Sequence, residues 1–206
     1  MPCQHKFLED LNLDYCDKVE TLIVGTFNPQ WAKKNSAEWF YGREKNNFWY
    51  VLSKIYSVDD LSLADTNTRK KFCNENKIGI TDLISCIKTA DEKKHYGLIS
   101  SFSDKKIEDN FQLDDLELVN IIGIIEQNPT IKNVYLTRSA NSNLWKKIWE
   151  PIEEHCVNNS INCKQLLTPS NYAFFQFNQN EKIKHGTLPN FIYACWAEVW
   201  LYMQLC

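Results

Sequence analysis

The sequence predicts an α/β domain: a central four-stranded, mostly parallel sheet in a three-layer α/β/α sandwich. Three observations carry this prediction. Short β-branched runs alternate with longer segments of helical period, the pattern that builds parallel sheets covered on both faces. Each strand candidate runs out into Gly, Thr, Asp, Ser or Pro, as strands do when they deliver a chain to loops along one rim. The 206 residues, 44% hydrophobic with seven Trp, nine Tyr and eleven Phe, suffice for one packed core and not comfortably for two. Residues 1–206 are therefore read as a single domain.

Glu20 to Gly25, "ETLIVG", is a β-branched run of strand length closed by Gly. It ends in "VGTFNPQ" (Val24 to Gln30), where the chain turns through Asn-Pro. That pair is common turn chemistry, but the carboxyl end of a parallel strand is also where open α/β sheets place ligands. A polar loop of about twenty residues follows, a length that is uncommon inside a compact domain and usually functional. Asn46 to Tyr56 then sets Phe48, Leu52 and Ile55 on one helical face.

Lys77 to Ser85, "KIGITDLIS", reads as a second strand leaving through Thr81 and Asp82, and Lys88 to Asp104 as loop. Asp115 to Gln127 has Leu116, Val119, Ile122 and Ile125 at helical spacing. Ile131 to Thr137 is the third strand. "ANSNLWKKIWEPIEEHC" reads as a helix kinked or broken near Pro151, and Ile161 to Ser170 as the fourth strand. The last helix, Leu188 to Leu205, is about three residues short of a comfortable membrane span and carries Glu198 in its middle, so a buried terminal helix is expected and no membrane partner.

Several function classes drop out. G-x-S-x-G, G-x-x-x-x-G-K-[ST] and G-x-G-x-x-G are all missing, which excludes the commonest hydrolase, P-loop and dinucleotide schemes. Eight Cys contain no C-x-x-C pair and no His sits at a metal-ligand spacing, so no metal or organic cofactor is expected. The first sixteen residues hold no apolar run of signal-peptide type, which predicts reduced thiols and a cytoplasmic protein, nucleoid-associated in a bacterium. A net charge of −3 announces no nucleic acid globally. DNA binding would have to rest on a local basic patch, and Lys33, Lys34, Arg43 and Lys45 supply one in the long loop.

What remains along the rim is amide, hydroxyl and aromatic. That combination suits extraction of a base from duplex DNA, which needs a ring to stack on the base, amides for its edge and small or hydroxyl residues near phosphate. Four segments then resemble the thymine- and mismatch-specific branch of the uracil-DNA glycosylase superfamily. "TFNPQ" (Thr26 to Gln30) is similar to its G-I-N-P-G motif, and "NNFWYVL" (Asn46 to Leu52) to N-x-F-W-K-x-L. "GITDLI" (Gly79 to Ile84) is similar to G-x-T-x-L-V, and "TPSNYA" (Thr168 to Ala173) to P-S-x-x-A. "FYGREKNNFW" also resembles the Y-Y-x-x-P-R-N-x-F-W segment of the hypoxanthine-type branch. The likeness covers roughly residues 20 to 200.

The resemblance implies a monofunctional DNA glycosylase of base excision repair, a monomer acting on DNA that holds a damaged or mismatched base, uracil or hypoxanthine. It places the water-positioning amide on Asn28 by the first branch and on Asn46 by the second. It places Thr26 and Phe27 against the base, Phe40 or Tyr41 as the stacking ring, and Ser170 and Asn171 at the DNA backbone. No Lys falls on a matched catalytic position, so lyase chemistry is not expected. A neutral amide orients water but is a poor base, which implies a slow enzyme, with Asp82 as the reserve for water activation. Three departures stand out. Thr26 takes the first Gly of the motif, Gln30 replaces the Gly after Pro29, where it would crowd a flipped nucleotide, and Phe174 and Phe175 stand where thymine-type enzymes carry Arg. Those rings fit either an aromatic wedge or the core. The other reading is a catalytically silent protein that binds nucleic acid or a nucleotide on the same scaffold.

Overall fold

A computed structural model describes residues 1–32 and 35–201, the side chain of Leu201 excepted. Its elements run β1 (Cys3–Gln4), β2 (Thr21–Gly25), α1 (Phe48–Tyr56), α2 (Thr66–Glu75), β3 (Ile78–Asp82), β4 (Ile84–Ile87), α3 (Glu92–Ile99) and α4 (Asp104–Asn110). They continue as β5 (Leu116–Leu118), α5 (Ile121–Gln127), β6 (Asn133–Leu136), α6 (Asn143–Asn158), β7 (Asn162–Gln165), α7 (Gln179–His185) and α8 (Leu188–Leu201).

The main sheet has four strands, all parallel, in the order β3-β2-β6-β7. β2 is buried along its whole length, and its alternate side chains define the layers. Leu22 and Val24 face one core with Val134 and Leu136 of β6, covered by Trp145, Ile148 and Trp149 of α6 and by α5. Ile23 faces the other with Ile78, Ile80 and Tyr135, covered by Phe48, Trp49 and Leu52 of α1 and by Ile192, Trp196 and Trp200 of α8. In that second layer Trp200 stacks on Tyr135 at 4.7 Å between centroids and Trp196 runs parallel to Trp200 at 6.4 Å. The α/β/α sandwich follows from this two-sided burial. Among the described residues no helix is long and apolar enough to cross a membrane; residues 202–205 of the expected last helix lie outside the described residues.

A second sheet, β1-β4-β5, is antiparallel and small. It corrects two expectations. "KIGITDLIS" is not one strand: the chain turns at Leu83 and leaves the parallel sheet as β4. The segment from Asp115 to Gln127 is strand β5 followed by helix α5, because Asn120 ends the strand and caps the helix, its side chain accepting the Gly123 N–H at 2.9 Å. Residues 88–104 are not all loop either, since Asp91 caps α3 by accepting the Lys94 N–H. Helix α6 runs unbroken through Pro151. The carbonyl that Pro leaves without a partner belongs to Lys147, whose place on the exposed face lets water take it.

Candidate active site

In the order β3-β2-β6-β7 the chain leaves β2 toward one side of the sheet and later returns to β6 on its other side. Loops diverge at such a switch point and open a crevice beyond the strand ends. A cavity of about 1030 Å³ lies there, walled by residues 25–28, Tyr41, residues 43–46, Asp82, residues 101–105, residues 137–139 and the segment from Gln165 to Tyr172.

Its floor depends on Gly25. A Cβ there would stand 2.1 Å from Asp82 Oδ1 and 2.6 Å from Tyr41 Oη, so the bare backbone is what lets both groups come together at the strand end. Gly25 and Asp82 sit opposite one another in the β2–β3 register. Asp82 Oδ2 accepts from His5 Nε2 at 2.8 Å and from Asn28 Nδ2 at 3.0 Å, with 2% of the Asp82 side chain exposed. Tyr41 takes a left-handed backbone, φ 55°, and lies flat on Phe48 with centroids 3.9 Å apart and planes 7° apart. Its hydroxyl meets Thr137 Oγ1 at 2.9 Å. Burial, and then the Asp82 charge, hold the Tyr41 phenol well above its usual pKa, so it stays neutral.

Across the cavity Asp104 opens α4. Its Oδ1 accepts from Thr26 Oγ1 at 2.8 Å, and Arg138 Nη1 lies 2.8 Å from Oδ2. Arg138 and Asp104 thus form a close ion pair. The guanidinium also covers Trp145 at 4.3 Å. Burial raises the Asp104 pKa, against the pull of Arg138 and Thr26. Arg43 lies over the Phe102 ring at 4.1 Å, its pKa lowered by burial while Asp104 and Asp82 oppose the shift.

No protein-family model and no curated protein matches this chain. A solution NMR structure from Methanosarcina acetivorans, described as a candidate uracil DNA glycosylase, superposes on 86% of this chain and 94% of its own at TM-score 0.52, with 16% sequence identity. The fold is uracil-DNA-glycosylase-like.

On this glycosylase-like fold the residues singled out from sequence separate into groups. Thr26, Asn28, Tyr41, Arg43, Lys45, Asn46, Ser170 and Asn171 all line the one cavity. Phe27 touches it but belongs to the core, 8% exposed. Phe40 is corrected outright: it is fully buried, off the cavity wall, and packed against His5, Phe7 and Trp39. It cannot stack on a base. Lys33 and Lys34 lie outside the described residues. Gln30 is exposed and off the wall, so it crowds nothing. Phe174 and Phe175 are 56% and 84% exposed and not part of the core.

The two amides differ in what they have left to offer. Asn46 Oδ1 accepts the Phe48 N–H at 2.9 Å at the start of α1, which leaves its NH₂ for a ligand. Asn28 spends its NH₂ on Asp82, which leaves its oxygen. Asp82 shares the cavity wall with a second aspartate, Asp104, which stands at the end of what the sequence pattern presents as loop. His5 and Phe102 also escape sequence reading.

Proposed function

We propose that this protein is a monofunctional DNA glycosylase that removes a deaminated base, uracil or hypoxanthine, from DNA. The observation that carries this reading is the convergence of Asn28, Asn46 and the Tyr41 ring on one cavity at the carboxyl ends of parallel strands, in a glycosylase-like fold.

In this reading Asn28 Oδ1 accepts an O–H from the attacking water and aims its lone pair at the sugar carbon. A group that orients a water nucleophile must accept its proton side; Asn28 has both lone pairs of its oxygen to offer, whereas Asn46 has given one of its two to the Phe48 N–H. Asn46 donates its NH₂ to a carbonyl of the base. As the bond from C1′ to the base breaks, its electron pair leaves with the base. The sugar becomes oxocarbenium-like, water adds to C1′, and the proton that water releases balances the charge on the departing base. The protein's share is to hold water and base in place. Arg43, Lys45, Ser170 and Asn171 face the DNA backbone, and the exposed rings of Phe174 and Phe175 enter the base stack to support the duplex.

Labelled duplexes with a single U·G, U·A, T·G or hypoxanthine·T pair, incubated with protein and heated in alkali, test the reading. Strand scission on U or hypoxanthine is expected, with Asn28→Ala about 100-fold slower and DNA affinity retained. DNA binding without scission on any duplex would instead mean a silent scaffold.

A further inference from the structure

The segment Gln4 to Lys6 brackets the loop that carries Asn28. Lys6 N–H donates to the Asn28 carbonyl at 2.7 Å and Gln30 N–H donates to the Gln4 carbonyl at 2.9 Å. His5 pairs with Pro29 between them as an isolated antiparallel bridge. The same three residues thus hold the loop's backbone on both sides of Pro29.

The His5 side chain then reaches the loop's functional end. Phe7 N–H donates to His5 Nδ1 at 3.0 Å, so that nitrogen is an acceptor and the ring proton resides on Nε2. Nε2–H points at Asp82 Oδ2, which also receives the Asn28 NH₂. An ionised carboxylate has nothing to donate, so the Asn28 amide can turn only its nitrogen toward it. His5 fixes the carboxylate, the carboxylate fixes the amide, and the amide oxygen is left for the cavity that Asn28 lines. The His5 ring is itself wedged among Phe7, Phe27 and Phe40, which denies it another rotamer. This gives Phe40 a place beside the site without contact with a ligand.

We propose that His5 and Asp82 are positioning residues for Asn28, locking its amide with the oxygen outward, in the one orientation that can accept an O–H from the attacking water. The proposal rests on the glycosylase reading and adds that the N-terminal strand belongs to the site. Without the carboxylate the amide can present either end, and its NH₂ would engage the lone pair that water needs for attack.

Single-turnover cleavage at saturating protein, on whichever duplex the wild type cleaves, is compared with DNA affinity. Asp82→Asn and His5→Phe should slow cleavage by about 100-fold while changing affinity by less than about threefold, and His5→Gln, which can donate from near the Nε2 position, should recover at least about tenfold of the loss. Rates of Asp82→Asn and His5→Phe within about threefold of wild type would overturn the proposal, as would His5→Gln no faster than His5→Phe. If the wild type cleaves none of the duplexes, the glycosylase reading fails, and nitrogen NMR still decides the lock. The expected result is a His5 ring proton on Nε2 and Asn28 amide protons protected from exchange in the wild type. A proton on Nδ1, or an unprotected Asn28 amide, would refute the lock whether or not a variant folds.

Discussion

Two carboxylates flank the loop that leaves β2, each accepting a hydrogen bond from it, and they are held in different ways. Asp82 ends β3, the edge strand beside β2, has 2% of its side chain exposed and accepts its side-chain hydrogen bonds from the amide of Asn28 and the imidazole of His5. Asp104 begins a seven-residue helix and faces the Arg138 guanidinium, with Arg43 nearby. The first corner is fixed by directed hydrogen bonds and fits the task of aiming one group. The second adds an ion pair to its hydrogen bond from Thr26, which puts guanidinium groups at the cavity wall and fits the task of meeting the charged backbone of a nucleic acid.

The largest effect should come from damage to the first corner. Gly25→Ala would drive a methyl group to 2.1 Å from Asp82 Oδ1, so single-turnover cleavage should fall about 100-fold or more, with about 1–3 kcal/mol of stability lost on denaturant titration. Cleavage within a few fold of wild type would mean that this corner does not control the chemistry. A smaller effect belongs to the second corner. Arg43→Ala and Lys45→Ala should each lower the slope of log affinity for duplex DNA against log salt by about 1 while leaving the saturated rate nearly unchanged. An unchanged slope in both variants would remove these residues from the DNA contact.

The smallest effect concerns Asp104 and acidity. Burial raises its folded pKa above the ordinary aspartate value, so the native state binds that proton more tightly than the unfolded chain does. Its contribution to stability is full below the unfolded value and is lost as pH rises through the folded one. Urea midpoints measured between about pH 4 and about pH 7 should therefore fall less steeply with pH in Asp104→Asn than in wild type. Should Asp104→Asn slow cleavage as much as Gly25→Ala, the division of labour between the two corners is wrong.

The parallel sheet was legible because its signal is local. Leu22 to Val24 and Val134 to Leu136 are apolar at consecutive positions, as strands covered on both faces must be. Helix α3 was not, because Ile99 is its one buried residue and "EKKHYGLI" carries no apolar stripe. Helix α2 hides for the same reason, burying Arg69, Phe72 and Cys73 among polar neighbours. In the site, Asn28, Asn46 and Tyr41 were readable from motif and position on the rim. His5 was not, since it meets Asp82 across 77 positions of sequence and is brought there by long-range pairing, of β1 with β4 and of His5 itself with Pro29. Phe40 and Tyr41 are adjacent aromatics in one loop. The left-handed turn at Tyr41 decides which of them faces the cavity, and nothing in their residue types announces it.

The contact between positions 28 and 82 also limits how this chain could be remade into a faster catalyst. Exchanging the amide at 28 for a carboxylate looks like the obvious improvement, since an acid can take a proton and an amide cannot. The newcomer would sit about 3 Å from a second carboxylate, and anions that close share one proton rather than ionise together. Near neutrality it would bond to its neighbour instead of to water. Acceleration lies two steps away, with position 82 surrendering its charge in the same move, and neither step by itself is an advance.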